Sequence, residues 1–268
     1  MRTLIQPLTC LFGHKNLIWN MVKRDIAARY KGSVLGILWS FLNPLFMLAI
    51  YTFVFKYIFS ARWVTEGDLE VSFSTVLFAG LIIHAWLAEV LSRSALVIGD
   101  HVNFVKKIRF PLEILPWVIV ISSGIQFLMG FCVLIVFMLV LGMQIQLQIL
   151  MLPLMLLPFS LFLVGCAWIL AALGVFLKDL SQVIGTLVTV LLFTSTVFFS
   201  LNTAPEVIRP YLVLNPVTIP VEATRGMVVF GNYDAWMQLG VYSGVSIFVM
   251  LIGFFAFNRV KVLFADVL

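Results

Sequence analysis

The stretch Leu91-Ser-Arg-Ser-Ala-Leu-Val-Ile-Gly-Asp-His-Val-Asn-Phe-Val-Lys-Lys-Ile-Arg-Phe-Pro-Leu-Glu-Ile-Leu-Pro116 is the one long polar interruption on its side of a chain otherwise built from apolar runs. Within it Ile98, Val102, Val105 and Ile108 recur at helical spacing, while Asp100, Asn103, Lys106 and Lys107 fall on the other side. The pattern predicts a short amphipathic helix with a basic end, stopped by Pro111. A helix of this kind between two spans either lies on lipid headgroups or docks into a soluble partner. Its flanks decide the fold.

Those flanks are too apolar for a globular domain. The 268 residues are 62% hydrophobic and 11% charged, against roughly 25% charged in an ordinary soluble domain. Runs of about 20 apolar residues suffice to cross a hydrocarbon core about 30 Å thick. They lack the alternation of barrel strands. The expectation is an all-α integral membrane protein of about six transmembrane helices. The spans fall near Val34–Phe59, Ser72–Leu91, Ile114–Leu141, Ile149–Leu177, Ser181–Leu201 and Met237–Asn258. Asn43-Pro44 predicts a bend in the first, Lys56 snorkels outward near its far end, and Pro153 and Pro158 predict bends in the fourth.

Ahead of the first span, Leu11 to Lys31 reads as an amphipathic helix along the membrane surface, with Leu11, Ile18, Val22 and Ile26 opposite Asn16, Asn20, Lys23 and Arg24. No cleavable signal peptide is expected, because a charged segment of about 30 residues precedes the first long apolar run. The net charge of +5 is a topology signal rather than a sign of nucleic acid. Thirteen basic residues, including Arg24, Arg29, Lys31, Arg93, Lys106, Lys107, Arg109, Lys178 and Arg259, fall on one side, against Arg62, Arg209 and Arg225 on the other. That bias places both termini in the cytoplasm.

Between Asn202 and Trp236 the chain is rich in Leu, Ile and Val but broken by Pro205, Pro210, Pro216 and Pro220. Two half-length pieces, near Pro205–Leu214 and Val217–Phe230, suit a re-entrant outer hairpin between spans five and six, covered by protein or facing a wet cavity. A plain external loop fits the composition equally. A short outer loop with Glu66, Asp68 and Glu70 joins the first two spans.

Chemistry is sparse. No phosphate-binding loop of the Gly-x-x-x-x-Gly-Lys-Ser/Thr type occurs, so the chain shows no nucleotide site of its own. Cys10, Cys132 and Cys166 suggest neither a disulfide frame nor a metal site, and His14, His84 and His101 are scattered. His84 reads as a hydrogen-bonded interior residue and Glu89 as a carboxylate reaching water. Without a ladder of buried carboxylates, ion-coupled transport is disfavoured. Trp39, Tyr51, Phe193 and Phe198 are candidates for an aromatic path along which sugars slide, with lipid-facing packing as the alternative for each.

Taken in order, Val22-Lys-Arg-Asp-Ile26, Arg29-Tyr-Lys-Gly-Ser-Val-Leu-Gly36, Leu38-Trp39 and Asn43-Pro44 resemble the start of type-2 ABC exporter permeases for polysaccharides. Asn103-Phe-Val-Lys-Lys-Ile-Arg-Phe-Pro111 with Glu113 is similar to their loop between spans two and three. Lys178-Asp-Leu180 resembles their inner turn, and Leu214-Asn-Pro216 with Glu222 and Arg225 their outer hairpin. The resemblance implies residues 1–33 as a cytoplasmic interface segment and 34–268 as the transmembrane domain, with a coupling loop at 92–113 and an outer gate at 202–236. It implies a homodimer in the bacterial inner membrane with two separate ATP-binding subunits, which hold ATP and Mg; this chain binds no cofactor itself. The cargo implied is a polyprenyl-diphosphate-linked glycan of the O-antigen type. Asp100, His101, Asn103, Phe104, Lys106, Lys107 and Arg109 would form the coupling helix. Arg24, Arg29 and Lys31 would meet the lipid diphosphate, and Asn215, Pro216, Glu222 and Arg225 would form the outer gate. Export of capsule, teichoic acid or a drug shares this plan. An intramembrane glycosyl or acyl transferase would need a convergent polar site that the residues do not suggest.

Overall fold

The computed structural model describes residues 2–60, 63, 72–105 and 110–268, with side chains from Gln6 onward. Lys106, Lys107, Ile108 and Arg109 lie outside the described residues, as do Arg62, Glu66, Asp68 and Glu70. Every regular element among the described residues is helical.

The surface segment is two helices, α1 (Arg2–Gly13) and α2 (Lys15–Arg29), rather than the single helix expected from Leu11 to Lys31. His14 leaves helical geometry at φ −114° and ψ 21°, and its ring nitrogen turns back to the carbonyl of Cys10 at 3.2 Å. Ile18 and Val22 bury the inner face of α2 as the periodicity predicts.

The first span begins as a 3-10 turn at Gly36–Leu38, continues as α3 (Trp39–Tyr51) and widens to a π-helix at Thr52–Ile58. Pro44 removes the donor that would bond the carbonyl of Ser40. Gln126 replaces it, donating from Nε2 to that oxygen at 3.5 Å. That carbonyl of α3 is thereby tied to the third span.

α4 (Phe73–Ser94) is the most buried span, and the loop after it forms two single turns, α5 (Val97–Asp100) and α6 (Val102–Val105). One continuous amphipathic helix was the expectation; His101, at φ −121° and ψ 32°, interrupts it. A 3-10 turn at Leu112–Ile114 leads into α7 (Leu115–Val140), and α8 (Leu152–Phe176) returns. The fifth expected span stops early: α9 (Leu180–Phe193) has 14 residues, about 21 Å at 1.5 Å per residue. Beyond it come α10 (Arg209–Leu214), α11 (Thr218–Arg225) with a π-helical turn at Gly226–Phe230, α12 (Trp236–Val260) and the short α13 (Phe264–Val267). Among the described residues five helical segments are long and apolar enough to cross a membrane, and α9 is a shorter apolar helix. This is a multi-pass helical membrane protein.

The core lies among α4, α7, α8 and α12. α8 and α12 approach most closely because a Cβ at Gly165 would strike the backbone of Val249 and Met250, and one at Gly253 the backbone of Gly165. Trp168 is fully buried, edge-on to Trp117 and Phe254, and donates its Nε1–H to the carbonyl of Glu113 at 3.0 Å. Trp86 stacks on Phe127 at 5.1 Å between ring centroids and meets Phe159 edge-on. In contrast, α3 leaves most of its apolar surface open.

Candidate functional site

Two polar assemblies mark opposite ends of this bundle. At the basic end, where α4 finishes and α7 begins, α2 lies against the bundle and four charged side chains interlock. Arg93 donates to Asp25 at 2.5 Å and to Glu89 at 3.4 Å; Arg29 pairs with Glu89 and, at 3.4 Å, with Asp25. The hydroxyl oxygen of Ser122 accepts from Arg93 at 3.2 Å and from Arg29 at 3.5 Å. Glu89 therefore does not simply reach water: it closes a ring with two arginines. Burial pushes the Asp25 carboxyl up, but the hydrogen bond and charge of Arg93, with Arg29 behind, outweigh it and hold the group below the usual carboxylate range. Arg29 is held above its ordinary value, burial being overcome by Glu89 and then Asp25. Beside this ring Tyr30 donates to Gln126 Oε1 at 3.0 Å.

The ring borders a cleft of about 500 Å³ lined by α2, the end of α4, the loop and the start of α7. Arg24, Asp100, His101 and Phe104 meet there. His101 bonds back to the carbonyl of Val97 at 2.9 Å and stacks on Phe104 at 5.4 Å, and Phe104 stacks on Phe110 at 4.3 Å. Asp100 and Asn103 are exposed, while Val97 and Ile98 anchor the loop. A further ion pair, Lys261 to Glu113 at 3.2 Å, ties the end of α12 to the loop's exit. Of the residues expected to meet a diphosphate, Arg24 and Lys31 make no ion pair among the described residues and Arg29 is engaged by two carboxylates.

At the opposite end Arg225 is 0% exposed and satisfies its guanidinium on backbone oxygens. It donates to the carbonyls of Val76 at 2.9 Å, Thr196 at 2.6 Å and Val197 at 2.5 Å, and lies 3.5 Å from Glu222. Trp63 covers it, 4.6 Å from ring centroid to Cζ. Gly80 makes the room: a Cβ there would lie 2.9 Å from Nη2. This arrangement explains why α9 ends early. A continuing helix would consume the Thr196 and Val197 carbonyls in its own ladder, whereas Thr194 and Ser195 bond back to Val190 and Leu192 and the next residues turn out of helix toward the arginine. Asn215 secures the same break, donating to Leu191 O at 2.9 Å and Thr194 Oγ1 at 3.0 Å, and the carbonyl of Pro216 accepts from Tyr242 at 3.0 Å. The four outer residues picked from sequence thus converge on one knot.

The aromatic candidates do not converge. Phe193 and Phe198 stack at 5.6 Å beside the knot, Tyr51 lines a groove against α4 and α7, and Trp39 sits at the start of α3 without a ring contact to the others. His84 is buried with its Nε2 3.1 Å from the carbonyl of Val188, the interior role expected. Among the described residues no His, Cys, Asp and Glu group has metal-site proximity. Sequence reading missed Asp25, Arg93, Ser122 and Gln126. The signals it had were the spacings Asp25/Arg29 and Glu89/Arg93, each four apart.

The chain is similar to the O-antigen export system permease protein RfbA of Myxococcus xanthus, with 28% identity over 196 residues, 73% of each chain. It is 26% identical over 256 residues to a protein of that name from Klebsiella pneumoniae, covering 94% of this chain and 95% of the relative. The family model described as ABC-2 type transporter matches residues 16–229, from α2 through the cleft to the Arg225 knot, and the chain belongs to that family.

Proposed function

We propose that this chain is the permease subunit of an ATP-driven exporter that carries a polyprenyl-diphosphate-linked polysaccharide of the O-antigen type across the bacterial inner membrane. Two copies work with two copies of a separate ATPase, and both termini lie in the cytoplasm. The observation that carries the reading is the cleft in which α2 and the Leu96–Phe104 loop stand side by side at the basic end, in a chain whose near full-length relatives are named O-antigen export permeases.

In this reading the basic end faces the cytoplasm and the ATPase. Asp100, His101, Asn103 and Phe104 present the docking surface, extended by Lys106, Lys107 and Arg109. Closure of the ATPase pushes on this loop, and α4 and α7 pass the motion to α3 and α9 at the seam between two permeases. Arg24 and Lys31, without an ion pair among the described residues, meet the lipid diphosphate; Arg29 acts through the ring with Glu89. The segment 202–236, with α10 and α11 as its two limbs, is the re-entrant outer gate, pinned by Arg225 and Asn215. Phe193 and Phe198 offer the sugars a flat apolar face at its mouth, with Tyr51 and Trp39 earlier on the path.

A deletion strain complemented with charge-reversed Lys106→Glu and Lys107→Glu tests the docking role. The expected outcome is an assembled complex that hydrolyses ATP without delivering glycan to the surface. Normal export by this variant contradicts the docking role. Accumulated capsule, teichoic acid or drug in the deletion strain, with O-antigen intact, contradicts the cargo.

A further inference from the structure

The loop at the basic end rests on α8 at both of its feet. Where it leaves α4, a Cβ at Gly174 of α8 would strike the carbonyl of Ala95, and Val97 and Ile98, next in the chain, are buried. Where it enters α7, Glu113 is held twice: its carbonyl accepts from Trp168 of α8 at 3.0 Å, and its carboxylate from Lys261, just beyond α12, at 3.2 Å. A push on this loop therefore bears on α8 and α12 as well as on the two helices it joins.

The α8–α12 pair is built to pass a displacement on. Gly165 and Gly253 set backbone against backbone, so no side chain stands between the two helices there to change rotamer and absorb a shift. Neither α12 nor α8 from Gly165 to Gly174 contains proline. At the basic end, Phe264 is fully buried and meets Phe176 of α8 at 6.3 Å and Phe257 of α12 at 5.5 Å between ring centroids. By contrast, the side chain of Gln126 reaches the Ser40 carbonyl of α3, and that of His84 the Val188 carbonyl of α9.

At the outer end the buried Tyr242 of α12 donates to the carbonyl of Pro216 at 3.0 Å. From Val260 to Tyr242 the helix runs about 27 Å at 1.5 Å per residue, close to the depth of a hydrocarbon core about 30 Å thick. Asn215, the residue before Pro216, donates to Leu191 O at 2.9 Å and Thr194 Oγ1 at 3.0 Å, both at the end of α9. The Asn215-Pro216 corner thus holds α12 on one side and α9 on the other.

We propose that α8 and α12 form one rigid lever that carries the stroke of the loop to the Asn215-Pro216 corner and so to the outer end of α9. Gly174 and Tyr242 are its positioning residues, one at each end. The lever rests on the reading that the loop docks on the ATPase, and not on which polymer is exported.

Distances between equivalent spin labels on two permease copies, read by double electron–electron resonance in the full complex with its ATPase, test this. Labels go on Val262→Cys, beside the basic end of α12, and on Val207→Cys in the outer segment, both positions being exposed, with the exposed Cys132 removed as Cys132→Ser. In the wild type ATP is expected to shift both distances. Tyr242→Phe removes the hydroxyl and keeps the ring beside Phe162; it is expected to leave the Val262 shift in place and make the Val207 shift at least twofold smaller. Gly174→Ala, which moves Ala95 off its seat, is expected to shrink both shifts. An undiminished Val207 shift in Tyr242→Phe overturns the lever, as does a wild type in which Val207 moves while Val262 stays still. Either result leaves the exporter reading standing, whereas recovery of no ATPase with the chain overturns that reading and the lever with it.

Discussion

The two ends of the molecule both depend on arginine, and they use it in opposite ways. Arg225 is wholly buried and spends its donors on carbonyl oxygens of the chain, which are fixed in number and place. Arg93 and Arg29, with side chains 32% and 24% exposed, are held by carboxylates on α2 and α4. A guanidinium on backbone oxygens is part of the fold. A ring of half-exposed charges can open and close at small cost, because water competes for each member. The Arg225 knot is therefore a fixed part of the fold and the basic ring a latch between α2 and the bundle.

The largest effect expected is at the knot. Arg225→Met strands the Thr196 and Val197 carbonyls and leaves Glu222 unpaired, costing about 3–5 kcal/mol. Folded protein in the membrane should fall sharply, with new proteolysis between Thr194 and Phe230. Arg225→Lys should not restore it, since one ammonium does not reproduce the planar fork. Gly80→Val comes next, because its side chain meets the guanidinium and Val221; about 1–3 kcal/mol of overpacking is expected, read as a lower melting temperature with the same proteolytic sites. Survival of either variant with wild-type stability would make the two ends alike and remove the contrast.

The latch should yield smaller numbers and should be reversible by design. Asp25→Arg and Arg93→Asp singly are each expected to cost about 1 kcal/mol, while the double exchange recovers most of it; a coupling energy near zero in that cycle would deny the pairing. The smallest effect is with acid. Because the folded state holds Asp25 below the ordinary carboxylate range, its contribution is present above that range and lost as pH falls through the lowered value. The melting temperature should be flat from neutral pH down to about pH 5 and decline below about pH 4, with Asp25→Asn removing part of that decline.

Much of this plan was legible in the chain. Of the about six expected spans, five are helices long and apolar enough to cross a membrane among the described residues, Pro44 marks where α3 lacks a backbone donor, and the family resemblance groups Asn215, Pro216, Glu222 and Arg225. What stayed hidden was set by distant partners. Nothing local in Thr194-Ser195-Thr196 says that a span ends there; the reason is Arg225, nearly thirty residues on. Asp25 and Arg93 lie 68 residues apart, so the spacing within each helix could have pointed to the pairs inside α2 and inside α4 but not to the ring that joins them. The kinks at His14 and His101 arise from ring nitrogens turning to carbonyls four residues back, a choice that helical periodicity does not register. Gln126 was unremarkable until Pro44 left the Ser40 carbonyl without a donor.

The claim that unites both ends is that this chain moves a lipid-linked glycan under power from a partner. Mild-detergent purification of the tagged chain from its own cells, followed by mass spectrometry of all that accompanies it, tests that most directly. The account predicts two permeases with two ATPase subunits and a polyprenyl-linked glycan. A stable permease dimer recovered with neither, or a purified chain that turns over a glycosyl or acyl donor alone, would contradict it.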